Sequence, residues 1–515
     1  MKSVSSDEKN NIEVDVERLG SAEDSVSLQQ DAAHADDAFK YAKLTKGLEL
    51  TPELDRKLRR KADIYVLPLI CVAYAMQFLD RSTTSYGAIM GLREDLKMVG
   101  DQYNWLMTTV YITYLFWSFP GSWTLQKFPL SKTVAAYVGL WGLTTALQAA
   151  CYSYKSLVVA RAFLGIFESP LLPGLALLSS NFYHKSEVFS RTCYYFAFTG
   201  LANILGSAIS YGINLHKDNF AIAAWRALFA ILGSATVLLA ILMVIFIPDL
   251  PTKAWWLTEE EKLLTVERIR ANEQGFGNSE FKWYQVKEAL LDYKVWIYPL
   301  LAVAIEIPNS GISSFASILL KETFEFDTNK ALLMKAPMGG VQLGGLTLLG
   351  LASQYKLIKH PLIVAMAGVV FATIGGFMLA FCEEKHARLA GFYLVGFSPS
   401  AMITALSCLA TNVAGRTKKV VANAIYLVGF CASSAVGPQV FLPSEAPKYR
   451  TAIINICVFY CFGLGLLIIL AFANWNNNRS RDKERDALGD KYVKVENSEF
   501  LDLTDKENRD FRYVW

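Results

Sequence analysis

The sequence predicts an all-α polytopic membrane protein, with twelve transmembrane helices in two six-helix halves. Three observations predict it. Apolar runs recur that are long enough to cross a bilayer, which takes about 20 residues of helix at 1.5 Å rise each. The chain of 515 residues is 53% hydrophobic and 19% charged, and most of that charge falls in the first sixty residues, near 250–293 and in the last forty. One long polar segment, Pro248 to Tyr293, interrupts the runs after the sixth. Six spans, a polar link and six more spans is the layout of parallel halves around a pseudo-two-fold axis.

The elements follow in order. Residues 1–60 form a polar N-terminal tail, rich in Ser, Asp, Glu and Asn with few aromatics, which predicts disorder over residues 1–50. It ends in Arg56, Lys57, Arg59, Arg60 and Lys61, directly before the first apolar run. A basic cluster there predicts a cytoplasmic N-terminus. The acidic start excludes a cleavable signal peptide, so the first apolar helix is expected to act as the targeting signal. Spans are predicted at 63–88, 103–125, 131–151, 157–180, 191–213 and 225–247 in the N-terminal half (61–249). In the C-terminal half (294–475) they are predicted at 294–318, 331–353, 360–381, 388–411, 420–441 and 452–474. An even count puts both tails, including 476–515, on one side.

In the linker, 250–293, Thr258 and Glu261 have capping-box spacing and open a helix striped by Leu263, Leu264, Val266 and Ile269. Such a helix lies either on the membrane surface or under the bundle, and Trp255 and Trp256 suit the interface. Asn478-Arg479-Ser480 has the glycosylation pattern, but this topology keeps it cytosolic and unmodified.

Several functions are excluded by composition. A net charge of +3 is too small to argue for nucleic acid as a partner. The eight cysteines lie in or beside apolar runs without metal-site spacing, and read as small packing residues. No Ser-His, metal or cofactor motif occurs, so the chain is not expected to be an enzyme or to carry a cofactor. The expected partners are the lipid bilayer and a small solute, with the chain a monomer.

The informative residues are ionisable groups inside apolar spans, each costing roughly 2.5–3.5 kcal/mol at mid-membrane unless it faces the bundle interior. Asp80 and Arg81 stand side by side in the first span. Helix neighbours point about 100° apart, so they need not pair with each other and can divide solute and proton between them; the alternative is an ion pair to another helix. Arg161 and Glu168 in the fourth span are nearly two turns apart and face the same way, with Gly165 between them allowing close helix approach. Glu168 lies mid-span, in a position suited to proton exchange, while Arg161 is either its functional partner or a snorkelling anchor. Glu306 precedes Pro308-Asn309-Ser310-Gly311, which predicts a kinked or discontinuous seventh span; Glu306 either handles a proton or bonds the freed backbone. Lys335, opening the eighth span, is expected to snorkel outward. Tyr195, Thr199 and Asn203 repeat every four residues in the fifth span, as a cavity-lining stripe or as ordinary interhelical bonding.

With these residues placed, the sequence resembles the major facilitator superfamily, and more narrowly the anion:cation symporters and their fungal allantoate permease group, from about residue 60 to the C-terminus. The resemblance is carried by Leu79-Asp80-Arg81 with Ser85-Tyr86 and Gly91. It continues through Arg161, Gly165, Glu168 and Pro173-Gly174 to Tyr183, Glu187 and Arg191, and then Trp225-Arg226 to Pro248-Asp249 and Pro251. Gly311 with Phe315, Asn412 to Lys419, Gly437-Pro438-Gln439, Ala446-Pro447 with Tyr449, and the tail Asp502 to Tyr513 complete it. Two positions depart from the family pattern. Leu125 stands where the loop after the second span usually carries an acid beyond Gly121, and Ser433-Ser434 replace a common Gly-Asn before Gly437.

The resemblance implies proton-coupled symport of a small organic anion, such as a carboxylate nutrient, ureide or vitamin, by alternating access at the plasma membrane. It implies that Arg81 binds the solute carboxylate while Asp80 and Glu168 carry protons, with Arg161 as their partner. Glu306 joins the proton-handling candidates, and Tyr195, Asn203, Asn309 and Ser434 the solute-binding ones. The rival readings are an exporter of the same fold and a non-transporting nutrient sensor. Exporters usually carry Gly-Pro-Gly-Gly in the fifth span, where this chain has Gly200 and Gly206 without proline.

Overall fold

The computed structural model describes residues 51–270, 282–355, 357, 360–488, 503–508 and 510–515. The disorder predicted for residues 1–50 lies outside the described residues. Helices occupy every predicted span. In the N-terminal half these are Leu67–Gly87, Gln102–Lys127, Leu130–Gln148, Tyr154–Glu168 with Leu171–Ser180, Lys185–Leu215 and Ala224–Phe246. In the C-terminal half they are Tyr293–Ile318, Thr328–Leu333 with Ala336–Gln354, Pro361–Phe381, Lys385–Leu394 with Pro399–Asn412, Arg416–Val436 and Arg450–Leu488. Among the described residues, nine helices are long and apolar enough to cross a membrane by length and composition. The second, third and eighth spans complete the bundle with helices richer in Tyr, Trp, Thr and Gly.

Proline places the breaks, though not where expected. The fourth span breaks at Ser169-Pro170, one residue after Glu168. Pro170 has no N–H for the Ile166 carbonyl, and the Ser169 hydroxyl donates to that carbonyl instead, at 3.1 Å. The seventh span, by contrast, runs as one helix from Tyr293 to Ile318 through both Pro299 and Pro308. Of the two forms predicted there, a kink or a discontinuity, the discontinuity is absent.

Close crossings position the helices. A Cβ on Gly165 would lie 2.2 Å from the Val110 carbonyl oxygen, so only glycine lets the fourth span approach the second this closely. Gly437 meets the backbone of Gly311 and Ile307 in the same way, each 2.8 Å from where its Cβ would stand. This crossing joins the eleventh span to the seventh, and Ser310 donates to the Ser434 carbonyl at 2.7 Å beside it.

The tails and linker gather at one end of the bundle, the tail end. A helix Pro52–Tyr65 precedes the first span, and the linker helix Glu259–Arg270 docks on it. The capping box forms: Thr258 N–H donates to Glu261 at 3.1 Å, and Glu261 N–H to the Thr258 hydroxyl at 3.3 Å. Glu261 also binds Lys57 at 3.1 Å and Lys61 at 2.6 Å, and buried Arg268 reaches Asp55 and Glu187, each at 2.6 Å. The helix therefore sits under the N-terminal half. Trp255 is exposed, but Trp256 is buried and stacks on Tyr65 at 5.3 Å, so only one of the two tryptophans is free for an interface.

At the opposite, far end the halves are sealed. Tyr103 donates to the Ser314 carbonyl at 2.8 Å, Asn104 to the Phe441 carbonyl at 2.9 Å and Thr108 to the Ala435 carbonyl at 2.8 Å. Arg93 pairs with Glu322 at 3.0 Å, and Phe315 stacks on Phe441 at 4.6 Å.

Candidate functional site

Three clusters hold the predicted residues. The first lies wholly in the N-terminal half. Glu168, with no exposed side-chain surface, accepts on Oε1 from Gln77 at 2.9 Å and from Arg81 Nε at 2.8 Å. Arg81 Nη2 reaches the same oxygen at 2.7 Å, while Oε2 has no hydrogen-bond partner. The Arg81 guanidinium also lies 5.4 Å from the centroid of the Tyr111 ring, and its side chain remains 23% exposed. Asp80 points elsewhere. It is buried, accepts from the Trp141 indole at 3.2 Å through Oδ2, and has Oδ1 unpartnered. As the 100° offset predicts, Asp80 and Arg81 address different helices, the third and the fourth.

Arg161 does not pair with Glu168. It is buried, donates to the Thr84 hydroxyl and lies 5.6 Å from the Phe229 ring centroid, facing the first and sixth spans. Burial excludes the snorkelling reading for this residue. Its charge acts on both Asp80 and Glu168 without ion-pair contact to either.

The second cluster is in the C-terminal half. Buried Glu306 accepts from the Asn309 side chain at 2.9 Å, one turn along the same helix, rather than from freed backbone. Arg81 acts electrostatically on Glu306 across the interface between halves. Ser434 is buried at the crossing of the seventh and eleventh spans, apart from the Arg81 pair.

The third cluster joins the fifth span to the eighth. Asn203 donates to Gln342 at 2.9 Å, and Tyr86 from the first span bonds the Asn203 carbonyl at 3.3 Å and shares a 3.2 Å bond with Ser207. Tyr195 belongs to neither charged cluster; it bonds Ser179 and Thr192 and packs on Tyr74 at 5.0 Å between ring centroids. Thr199 turns inward to the Phe196 carbonyl of its own helix. The stripe therefore serves two separate places. Gly200 and Gly206 are packing sites, the first against Gly339 and Leu343 and the second against Leu79 and Tyr86.

Lys335 requires a correction. It is 2% exposed and lies inside the bundle with Nζ 4.4 Å from the centroid of the Tyr86 ring, rather than snorkelling outward. Its helix is broken between Leu333 and Ala336, which turns the side chain inward.

Sequence reasoning also missed Gln77, Thr84 and Trp141. Gln77 is legible in retrospect, four residues before Arg81 on the same helical face. Nothing local to Trp141 announces its bond to Asp80. Two apolar hollows, one lined by Val370, Phe377 and Leu464 and the other by Leu346, Val364 and Phe397, lie on the flank of the C-terminal half and contain none of these charged groups.

This geometry can exchange partners: one carboxylate holds one guanidinium in a low-dielectric interior, with acceptor atoms left over on both acids. Comparison with known proteins agrees in kind. The Major Facilitator Superfamily profile matches residues 70–438. An allantoate permease of Saccharomyces cerevisiae is 43% identical over 489 residues, covering 93% of this chain and 90% of that one. An uncharacterized transporter of Schizosaccharomyces pombe is 40% identical over 93% of each chain. A thiamine pathway transporter of Saccharomyces cerevisiae is 33% identical over 98% of each. Among solved structures, an inward-facing, occupied bacterial homologue of the human lysosomal transporter Spinster shares the fold with a TM-score of 0.58 at 13% identity, covering 79% of this chain and 96% of that one. The chain is thus a multi-pass membrane transporter that belongs to the Major Facilitator Superfamily and, within it, to the fungal allantoate permease-like group.

Proposed function

We propose that this transporter imports a small organic anion together with protons, at the plasma membrane and with both tails in the cytoplasm. The observation that carries the reading is the Arg81–Glu168 pair, with the acid enclosed and the guanidinium partly open. Two Arg nitrogens compete for one carboxylate oxygen, so protonating Glu168 weakens its hold and frees the planar fork. That fork suits a carboxylate, to which it gives two parallel charge-assisted bonds. Asp80, with one oxygen on Trp141 and one unpartnered, is the second proton site.

The sealed far end supports transport by alternating access. We read this arrangement as the state in which the site communicates with the tail end, and import as the passage of a loaded, protonated site from the opposite state. Loss of the proton from Glu168 returns Arg81 to its partner and releases the solute. The relatives named for allantoate and for a thiamine pathway support uptake of a nutrient, and allantoate bears the carboxylate this site would take.

The test is transport into proteoliposomes of the purified chain under an inward proton gradient. Wild type should accumulate labelled anion above its external concentration. Glu168→Gln should keep exchange of solute across the membrane and lose gradient-driven accumulation. Undiminished accumulation by that variant would overturn the coupling assignment.

A further inference from the structure

The linker contains a second helix, Trp283–Leu291, that the mechanism above does not use, and Asp292 alone separates it from the seventh span. Its two faces differ. On one, buried Gln285 accepts from the Thr417 and Lys418 N–H groups at 3.0 and 3.2 Å, and Glu288 meets Lys418 at 2.9 Å. Both amides lie in the first turn of the eleventh span, where a helix has no carbonyl of its own to offer them. On the other face Trp283, Lys287, Leu290 and Leu291 follow i, i+4, i+7, i+8 spacing, with Tyr284 beside them, and all five are exposed. The first linker helix, Glu259–Arg270, does the reverse: its Leu264 is buried under the N-terminal half.

The exposed face continues onto the seventh span. The Trp296 indole donates to the Leu290 carbonyl at 2.8 Å, and Tyr293, Trp296 and Leu300 are themselves exposed. Contacts with neighbouring spans fix where this patch points. Pro299 meets Gly429 of the eleventh span, and Ala304 meets Gly463 of the twelfth. At about 100° per residue, Trp296 and Leu300 both fall in the arc between those two contacts. Asn309, which bonds Glu306, falls in the other arc, toward the interior. The patch therefore lies on the outer wall of the bundle at its tail end, where a spanning helix meets lipid. Trp and Tyr are the side chains enriched where hydrocarbon gives way to headgroups.

We propose that the helix Trp283–Leu291 is an interfacial anchor, seated in the headgroup–acyl boundary of the leaflet at the tail end, with phospholipid as its occupant. Leu290 and Leu291 enter that boundary, and Lys287 on the same face keeps its stem there while its ammonium reaches the phosphates. Continuity with the lipid-facing wall of the seventh span carries the assignment. Because the opposite face caps the eleventh span through Gln285, attachment to the membrane holds the start of that span in place. The bilayer surface thereby takes part in shaping the tail end of the C-terminal half.

The experiment puts a nitroxide label on Leu290→Cys or Leu291→Cys in the full chain, with Cys382→Ser and Cys461→Ser removing the two native thiols that are not buried. The protein is held in nanodiscs of phosphatidylcholine and phosphatidylserine. Power-saturation EPR compares relaxation by oxygen, which partitions into the acyl layer, with relaxation by a water-soluble nickel chelate. Oxygen should dominate at both sites, and the chelate should dominate at Glu260→Cys, exposed on the first linker helix. Chelate dominance at Leu291 would put the face in water, and weak relaxation by both reagents would put it against a second protein surface; either result overturns the inference. Hydrogen exchange then tests the hold on the eleventh span. Leu291→Glu should cost the Thr417 and Lys418 amides their protection while the first linker helix keeps its own. Full protection of those two amides in that variant would overturn the link between membrane attachment and the eleventh span.

Discussion

The two halves share a six-helix plan but place their charges differently. The N-terminal half concentrates Asp80, Arg81, Arg161 and Glu168 in its interior, with leftover acceptor atoms on both acids. The C-terminal half has Glu306 and Lys335 inside, and its dense network lies at the tail end instead. There Lys418 binds three carboxylates, one of them Asp505 from the C-terminal segment. That segment continues across the half: Tyr513 donates to Asp505 at 2.8 Å, Asn412 and Val514 exchange bonds of 2.8 and 2.6 Å, and Trp515 stacks on His360 at 3.8 Å. Asn478, within the glycosylation pattern, spends its side chain on Tyr513, with bonds of 2.8 and 2.9 Å. Incomplete pairing in the interior of the first half leaves room for exchange, whereas saturated pairing at the tail end of the second makes a clamp.

Substitutions can break or sharpen that contrast. The largest effect is expected for Arg81→Ala, which should abolish uptake of labelled anion while the protein still reaches the membrane; uptake near the wild-type rate would remove the N-terminal half's claim to the chemistry. Next, Gly165→Ala should push the fourth span off the second, costing on the order of 1–3 kcal/mol as overpacking does, read as a lower melting temperature together with reduced uptake. Lys418→Met leaves three carboxylates facing one another and should cost about 3 kcal/mol, lowering the melting temperature but preserving KM. A raised KM there would show that the clamp is not purely structural.

The smallest effect concerns the linker. Burial pushes the Glu261 carboxyl up, but Lys61, the Thr258 N–H and Lys57 outweigh it and hold it down to about 2. A depressed carboxyl stabilises fully above its unfolded value and loses that contribution as pH falls through its folded one. The linker dock should therefore hold at neutral pH and weaken from the ordinary carboxylate range down to about pH 2. Glu261→Gln should show the weakened dock already at neutral pH, as faster proteolysis of the linker, with a stability loss of about 1 kcal/mol or less.

Much of the architecture is legible in the sequence because bilayer thickness imposes it: a run such as Ala224–Phe246 has no other stable solution. The ionisable residues were equally legible, since each stands out against apolar neighbours. Their partners were not. Arg161 and Glu168 share a face by spacing, yet Glu168 binds Arg81 and Arg161 binds Thr84, both on the first span and both distant in sequence. Lys335 misled for the same reason. Its position at a span end suits snorkelling, and only the break after Leu333 turns it inward. Proline was ambiguous as well, since Pro170 breaks a helix and Pro308 does not.

The far-end seal carries a consequence of its own. Tyr103, Asn104 and Thr108 all donate to main-chain carbonyls, so mutation can change only one side of each latch. Those three bonds have no acceptor that titrates, and ionic strength at the far face acts mainly through the partly exposed Arg93–Glu322 pair. Acidity at that face therefore has no group to act on in these three bonds, and Arg93–Glu322 is the one contact named in the seal that it can reach.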